Sequence, residues 1–220
     1  MSIIDNLNLI KKQLSAFSQD IKLIAVSKTA SDEQVRELFS AGQKDFAENR
    51  PQTLRDRLVT LKDLDINWHF IGHLQRNKIK YVYPHAALVH SVADRKLIEE
   101  FRKWYEKTNR KCPFLLDVNI SAEENKQGFS PEEVLDIIKE HRDSDFLDIR
   151  GLMGMAAFDV PEFKIEASFK ILSEIFEKSK SFEGKAYKAQ ILSMGMSGDF
   201  EIAAKCGSNM VRIGSALFAS

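Results

Sequence analysis

The 220-residue chain predicts an α/β protein, a single (β/α)₈ TIM-type barrel over residues 1–220 with an extra helix at its N-terminus. Three observations carry this. Short apolar runs recur eight times, helix-patterned segments lie between them, and polar or glycine residues collect at one end of the runs. Alternating strand and helix signals of this kind point to a parallel sheet covered on both faces. A doubly wound open sheet is the other architecture with this pattern, but no GxGxxG follows the first run, which weakens its dinucleotide-binding version.

Taken in order, a leading helical segment at about 2–17 stands outside the eightfold repeat. The eight strands are expected at 21–27, 44–48, 67–72, 87–92, 113–120, 147–155, 189–194 and 209–214. Several are apolar throughout, as strands buried on both faces should be. Ser31 starts "SDEQVRELFSAG" as an N-cap, with Gln34 three residues on and Gly42 past the end. Ser130, Pro131 and Glu133 form the same kind of start, with Pro131 at the first helical position. Leu97, Ile98, Phe101, Trp104 and Tyr105 make one helical stripe, and Phe169, Leu172, Ile175 and Phe176 make another. Both stripes read as packing faces.

Composition narrows the function. Hydrophobic residues are 44% and charged residues 29%, enough for a full core and against disorder. Basic and acidic residues balance at 32 each, so no net field draws nucleic acid or an anionic membrane. No apolar run approaches the roughly 20 residues of a spanning helix. The opening "MSIIDNLNLIKKQL" has no signal-peptide layout. Cys112 and Cys206 match no metal or redox spacing, and free buried thiols in a reducing cytoplasm are expected.

Barrel chemistry sits at the C-terminal strand ends. There the chain places Ser27 and Lys28, then Glu48, Asn49 and Arg50, then Gly72 and His73, His90 and Ser91, and Asn119 and Ser121. "GLMGM", "SMGMSGD" and "RIGSALF" follow strands six to eight. Any strand turns polar as it leaves a core, but that explains the late glycine and serine clusters less readily. Ser193, Ser197, Gly214 and Ser215 precede helices, whose N-termini offer free N–H groups to a phosphate. Lys28, surrounded by strand ends, should lose water and become a nucleophilic amine. An amine and a phosphate cup on one rim suit a phosphorylated aldehyde. Pyridoxal 5'-phosphate (PLP) and a phosphosugar both satisfy that description.

"LIAVSKT", "FAEN", "WHFIGHLQRNK", "HSVADR", "VNISAEENKQGF", "GLMGM" and the C-terminal "LSMGMSGDFEIAAKCGSNMVRIGSALF" together resemble the pyridoxal phosphate homeostasis protein family, in family order over about residues 20–218. The resemblance implies one barrel similar to the N-terminal domain of alanine racemase, with PLP held as an aldimine on Lys28. It implies Asn49 near the cofactor, Ser193, Ser197, Gly214 and Ser215 cradling the phosphate, and Arg212 facing the pyridine nitrogen. It also implies a role for Lys126 in cofactor exchange.

A guanidinium only donates, so Arg212 would leave the ring nitrogen unprotonated and a poor electron sink. The implied role is therefore a non-catalytic carrier and buffer of PLP, delivering it through transient contacts with apo-enzymes. A cytoplasmic monomer is expected, with no nucleic-acid or membrane partner and no metal. A PLP-dependent racemase of limited scope is the alternative; it needs a second acid/base group, which in alanine racemase comes from another domain not expected here. A protein-binding module whose cofactor sets its conformation is a third reading. The chain departs from the family at Arg50-Pro51, at His73 and in ending at "FAS". His69 and His90 read as candidate core histidines and Trp68 as a residue facing the helix layer.

Overall fold

A computed structural model describes residues 2–121 and 127–219. Eight parallel strands close into one barrel in sequence order. They are β1 (Lys22–Val26), β2 (Asp45–Glu48), β3 (Asn67–Phe70), β4 (Leu88–Val92), β5 (Phe114–Val118), β6 (Ile149–Gly154), β7 (Tyr187–Ser193) and β8 (Met210–Ile213). The helices are α1 (Ile3–Ser15), α2 (Asp32–Ser40), α3 (Pro51–Thr60), α4 (Arg95–Thr108), α5 (Glu133–His141), α6 (Glu162–Ser179), α7 (Phe200–Lys205) and α8 (Ser215–Phe218). A 3₁₀ segment, Arg76–Tyr81, replaces the helix after β3.

The barrel and the extra N-terminal helix are as expected. Most strands are one or two residues shorter than their apolar runs, because the pairing ends where the chain bends into turns. β7 instead begins two residues early, at Tyr187, whose hydroxyl is satisfied by Ser179 at 2.5 Å. The Ser130 cap is half formed: its hydroxyl accepts from Glu133 N–H at 3.1 Å, but regular helix starts only at Glu133. Cys112 is buried as expected, whereas Cys206, at the C-terminal end of α7, is half-buried.

Alternation along the strands separates two cores. Ile24, Val26, Ala47, Leu88, Leu115, Met153 and Met210 fill the barrel interior. Phe46, Trp68, Phe70, Phe114, Phe169 and Leu172 lie in the layer between strands and helices. Trp68 thus packs against Phe46 in the helix layer, ring centroids 6.1 Å apart. The parity of the interior residues turns His69, His90, Asp117, Ser193 and Arg212 toward the barrel axis, while Lys28 and Asn49 follow the ends of β1 and β2. α1 is fixed by a Ser2–Asp5 capping box. From it the buried Asn6 amide donates to Leu217 O at 3.1 Å and Ala219 O at 3.0 Å, clamping α8.

Candidate functional site

Seven residues were singled out by sequence: Lys28, Asn49, Ser193, Ser197, Arg212, Gly214 and Ser215. All stand at the C-terminal ends of β1, β2, β7 and β8, which are consecutive around the closed barrel. Lys126 lies outside the described residues.

Lys28 lies in the turn after β1, closed by Ala30 N–H to Ser27 O at 3.0 Å. It is exposed. The desolvation expected of it is therefore not met, because the turn lifts the side chain past the last strand pairing. The turn is held from behind. Ser27 Oγ donates to Glu48 Oε1 at 2.7 Å, and Arg57 of α3 reaches Glu48, Asp32 and the Ser27 and Ala30 carbonyls. Glu48 is fully buried, and its Oε2 has no hydrogen-bond partner among the described residues. Burial, more than its partners, decides its acidity and raises its pKa. Asn49 follows, half-buried. Its carbonyl presses on Gly72: a Cβ there would come within 1.9 Å of Asn49 O, so only glycine lets the two loops meet.

The loop after β7 and the start of α8 form one unit. Gly195 adopts a φ of +98°, which turns the chain toward β8. Arg212 N–H donates to Gly195 O at 3.0 Å. Ser197 Oγ accepts from Gly214 N–H and Ala216 N–H, both at 3.2 Å. These amides point where an anionic oxygen would be received. Gly214 itself rests on Val26, two residues before Lys28. Ser215 is exposed at the first position of α8.

Ser193 stands apart from the phosphate cup implied for it. It is fully buried, and its hydroxyl is occupied by Arg212 Nη1 at 2.7 Å and His90 Nδ1 at 3.0 Å. Arg212 is buried too, donating also to Ser193 O at 2.9 Å and Gly154 O at 3.3 Å. Burial brings its pKa down to about 10, although Asp117 and Asp199 pull it up. His69 is a hydrogen-bonded core histidine, bridging His90 Nε2 at 2.9 Å and Asp45 Oδ1 at 3.2 Å.

Asp117 is a site residue that sequence reasoning missed. Its signal was an acid in the middle of the apolar run "PFLLDVNI". It is 8% exposed, and burial pushes its pKa up to about 7 against the pull of Arg212. With Ile71, His73, Ser91, Asn119 and Met153 it lines a cavity of about 420 Å³ on the β3–β6 side of the mouth. A slightly larger hollow, about 460 Å³, lies at the opposite end against α1. No C-terminal strand end reaches it, so the mouth is the chemically equipped site. Among the described residues no three His, Cys, Asp or Glu side chains converge as a metal site, and no helix is long and apolar enough to cross a membrane.

Comparison with known proteins agrees with the fold. The sequence profile of the alanine racemase N-terminal domain matches residues 2–220. The pyridoxal phosphate homeostasis protein of Helicobacter pylori is 38% identical over 213 residues, covering 95% of this chain and 93% of that one. The structure of PipY from Synechococcus elongatus without PLP superposes with a TM-score of 0.90 at 30% identity, covering 99% of this chain and all of PipY. PipY with PLP bound gives 0.85 at 28% identity, with coverage of 99% and 100%.

Proposed function

The chain belongs to the pyridoxal phosphate homeostasis protein family, built on the alanine racemase N-terminal barrel, and from this we propose that it binds PLP reversibly through Lys28 and buffers and delivers it in the cytoplasm. The observation that carries the reading is the convergence of an exposed amine, a buried guanidinium and two backbone amides gathered on Ser197 Oγ at four neighbouring strand ends. The residues suit the group. Gly214 and Ala216 N–H, with the Ser197 and Ser215 hydroxyls, would receive the phosphate. Arg212 would donate to the ring nitrogen, and Asn49 would border the ring.

When bound, PLP supplies an aldehyde that an amine captures covalently and water releases. Lys28 Nζ would join that carbon, with the carbonyl oxygen leaving as water. An exposed amine on a braced turn suits a carrier: it meets the aldehyde without a barrier of burial and gives it up by the reverse step. Arg212 has no proton acceptor to offer the ring, so it would not promote carbanion chemistry. Handover to apo-enzymes would follow transient contact by a monomer.

The test is transfer. PLP-loaded protein should restore activity to an apo PLP-enzyme while producing no change in free amino acids. Failure to reactivate the enzyme would remove the delivery role. One observation favours the second reading, a limited racemase: Asp117 is a carboxyl at the mouth that exchanges its proton near neutral pH. That reading requires deuterium to enter the α-position of L-alanine in wild-type protein and not in Asp117→Asn.

A further inference from the structure

We propose that Asp45, His69, His90 and Ser193 form a one-directional hydrogen-bond relay along the barrel axis that positions the Arg212 guanidinium. Its bearing on PLP rests on the reading that Arg212 faces the cofactor ring; the relay itself does not.

The links are Arg212 Nη1 to Ser193 Oγ at 2.7 Å, Ser193 Oγ to His90 Nδ1 at 3.0 Å, His90 Nε2 to His69 Nδ1 at 2.9 Å and His69 Nε2 to Asp45 Oδ1 at 3.2 Å. The two ends fix every proton. A guanidinium can only donate, so Ser193 Oγ accepts from it and turns its own hydrogen to His90 Nδ1. His90 then carries its proton on Nε2 and gives it to His69 Nδ1. His69 likewise carries its proton on Nε2 and gives it to Asp45, which as a carboxylate only accepts. The reverse polarity would set His69 Nε2, bare of hydrogen, against a carboxylate oxygen. A second proton on His69 would set its Nδ1–H against the His90 Nε2–H, and one on His90 Nδ1 would turn the Ser193 hydrogen out of the relay.

The surroundings support one arrangement. His69, His90, Ser193 and Arg212 are each at most 4% exposed. Burial lowers the pKa of both histidines, which keeps them neutral. Ile24, Leu115 and Met153, from β1, β5 and β6, line the same interior with carbon and exclude water. In such a medium hydrogen bonds strengthen and hold direction. Lys22 holds Asp45 at 3.2 Å at the far mouth. The relay thus joins the N-terminal mouth, a cavity of about 320 Å³ lined by Asp45 and His69, to the rim where Arg212 acts.

The test uses full-length protein with ¹⁵N-labelled histidine and arginine, free of PLP at neutral pH. Long-range ¹⁵N–¹H spectra, assigned with His69→Gln and His90→Gln, should show both rings as pure Nε2–H tautomers. Ser193→Ala should mix the His90 tautomers and broaden the Arg212 Nε–H signal, and Ser193→Thr, which keeps the hydroxyl, should restore both. A His90 protonated on Nδ1, or an unchanged His90 and Arg212 in Ser193→Ala, overturns the relay. Asp45→Asn, at the partly exposed far end, should shift the absorbance of bound PLP and weaken its binding about tenfold. Unchanged absorbance and affinity in that variant overturn the positioning role. Failure of wild-type protein to bind PLP would instead count against the proposed function, leaving the tautomer result intact.

Discussion

At the scale of single residues, the site divides by how each side chain reaches its neighbours. The places of Lys28 and Asn49 at strand ends were legible because a charged or amide residue closing an apolar strand run is conspicuous, whereas Arg212, inside its run, was singled out only by the family resemblance. The exposure of Lys28 was not legible, since it depends on a turn braced by Ser27, Glu48 and Arg57 from three elements. Asp117 was missed because one acid within a strand reads as an interruption rather than a site. It makes a pH prediction. Its pKa is raised from 3.8 to about 7, so the stability tied to its neutral form is full below 3.8 and is lost as pH rises through about 7. Asp117→Asn removes that loss. Its melting temperature should gain on the wild type between pH 5 and pH 9, measured by calorimetry; a gap that does not change with pH would contradict the buried carboxyl. Gly72→Ala should cost about 1–3 kcal/mol in denaturant unfolding, because the new Cβ meets the Asn49 backbone carbonyl and not a movable side chain.

At the scale of elements, helix faces and the Ser31–Gln34 capping box were read well and the Ser130 cap less well. The α6 stripe of Phe169, Leu172, Ile175 and Phe176 is buried as its spacing implies. Leu172 is fully buried, and Leu172→Ala should cost about 2–5 kcal/mol in the same assay. The start of α5 shows the limit: Ser130 caps, but the reciprocal half of the box does not form, because the pattern specifies donors and acceptors and not the turn that aligns them. The clamp from α1 to α8 was invisible to sequence, its two ends lying 211 and 213 residues apart. Asn6→Ala should leave the Leu217 and Ala219 carbonyls without this donor and cost about 1–3 kcal/mol. It should also speed hydrogen exchange at the Ala216 amide, which belongs to the proposed phosphate cup. Normal protection there would separate the clamp from the site.

At the scale of the whole molecule, the barrel was legible because most of its strands are buried on both faces and stand apart from the patterned helices. The inside of the barrel was not. His90 and Ser193 lie 103 residues apart and meet only because β4 and β7 face each other across a closed sheet. Two buried neutral histidines also set the response to acid. Both have pKa values below the usual 6.5, so the unfolded chain takes up protons first as pH falls. Their contribution to stability is present above pH 6.5 and is lost progressively below it. His90→Gln should flatten the acid side of the stability profile.

The central claim is that Lys28 is the amine that captures the cofactor. It is tested most directly by titrating wild-type protein and Lys28→Ala with PLP, reducing with borohydride and mapping the modified peptides by mass. The account predicts one adduct on the Lys28 peptide of the wild type and none in the variant. An adduct spread over surface lysines, or one that persists in Lys28→Ala, would contradict it.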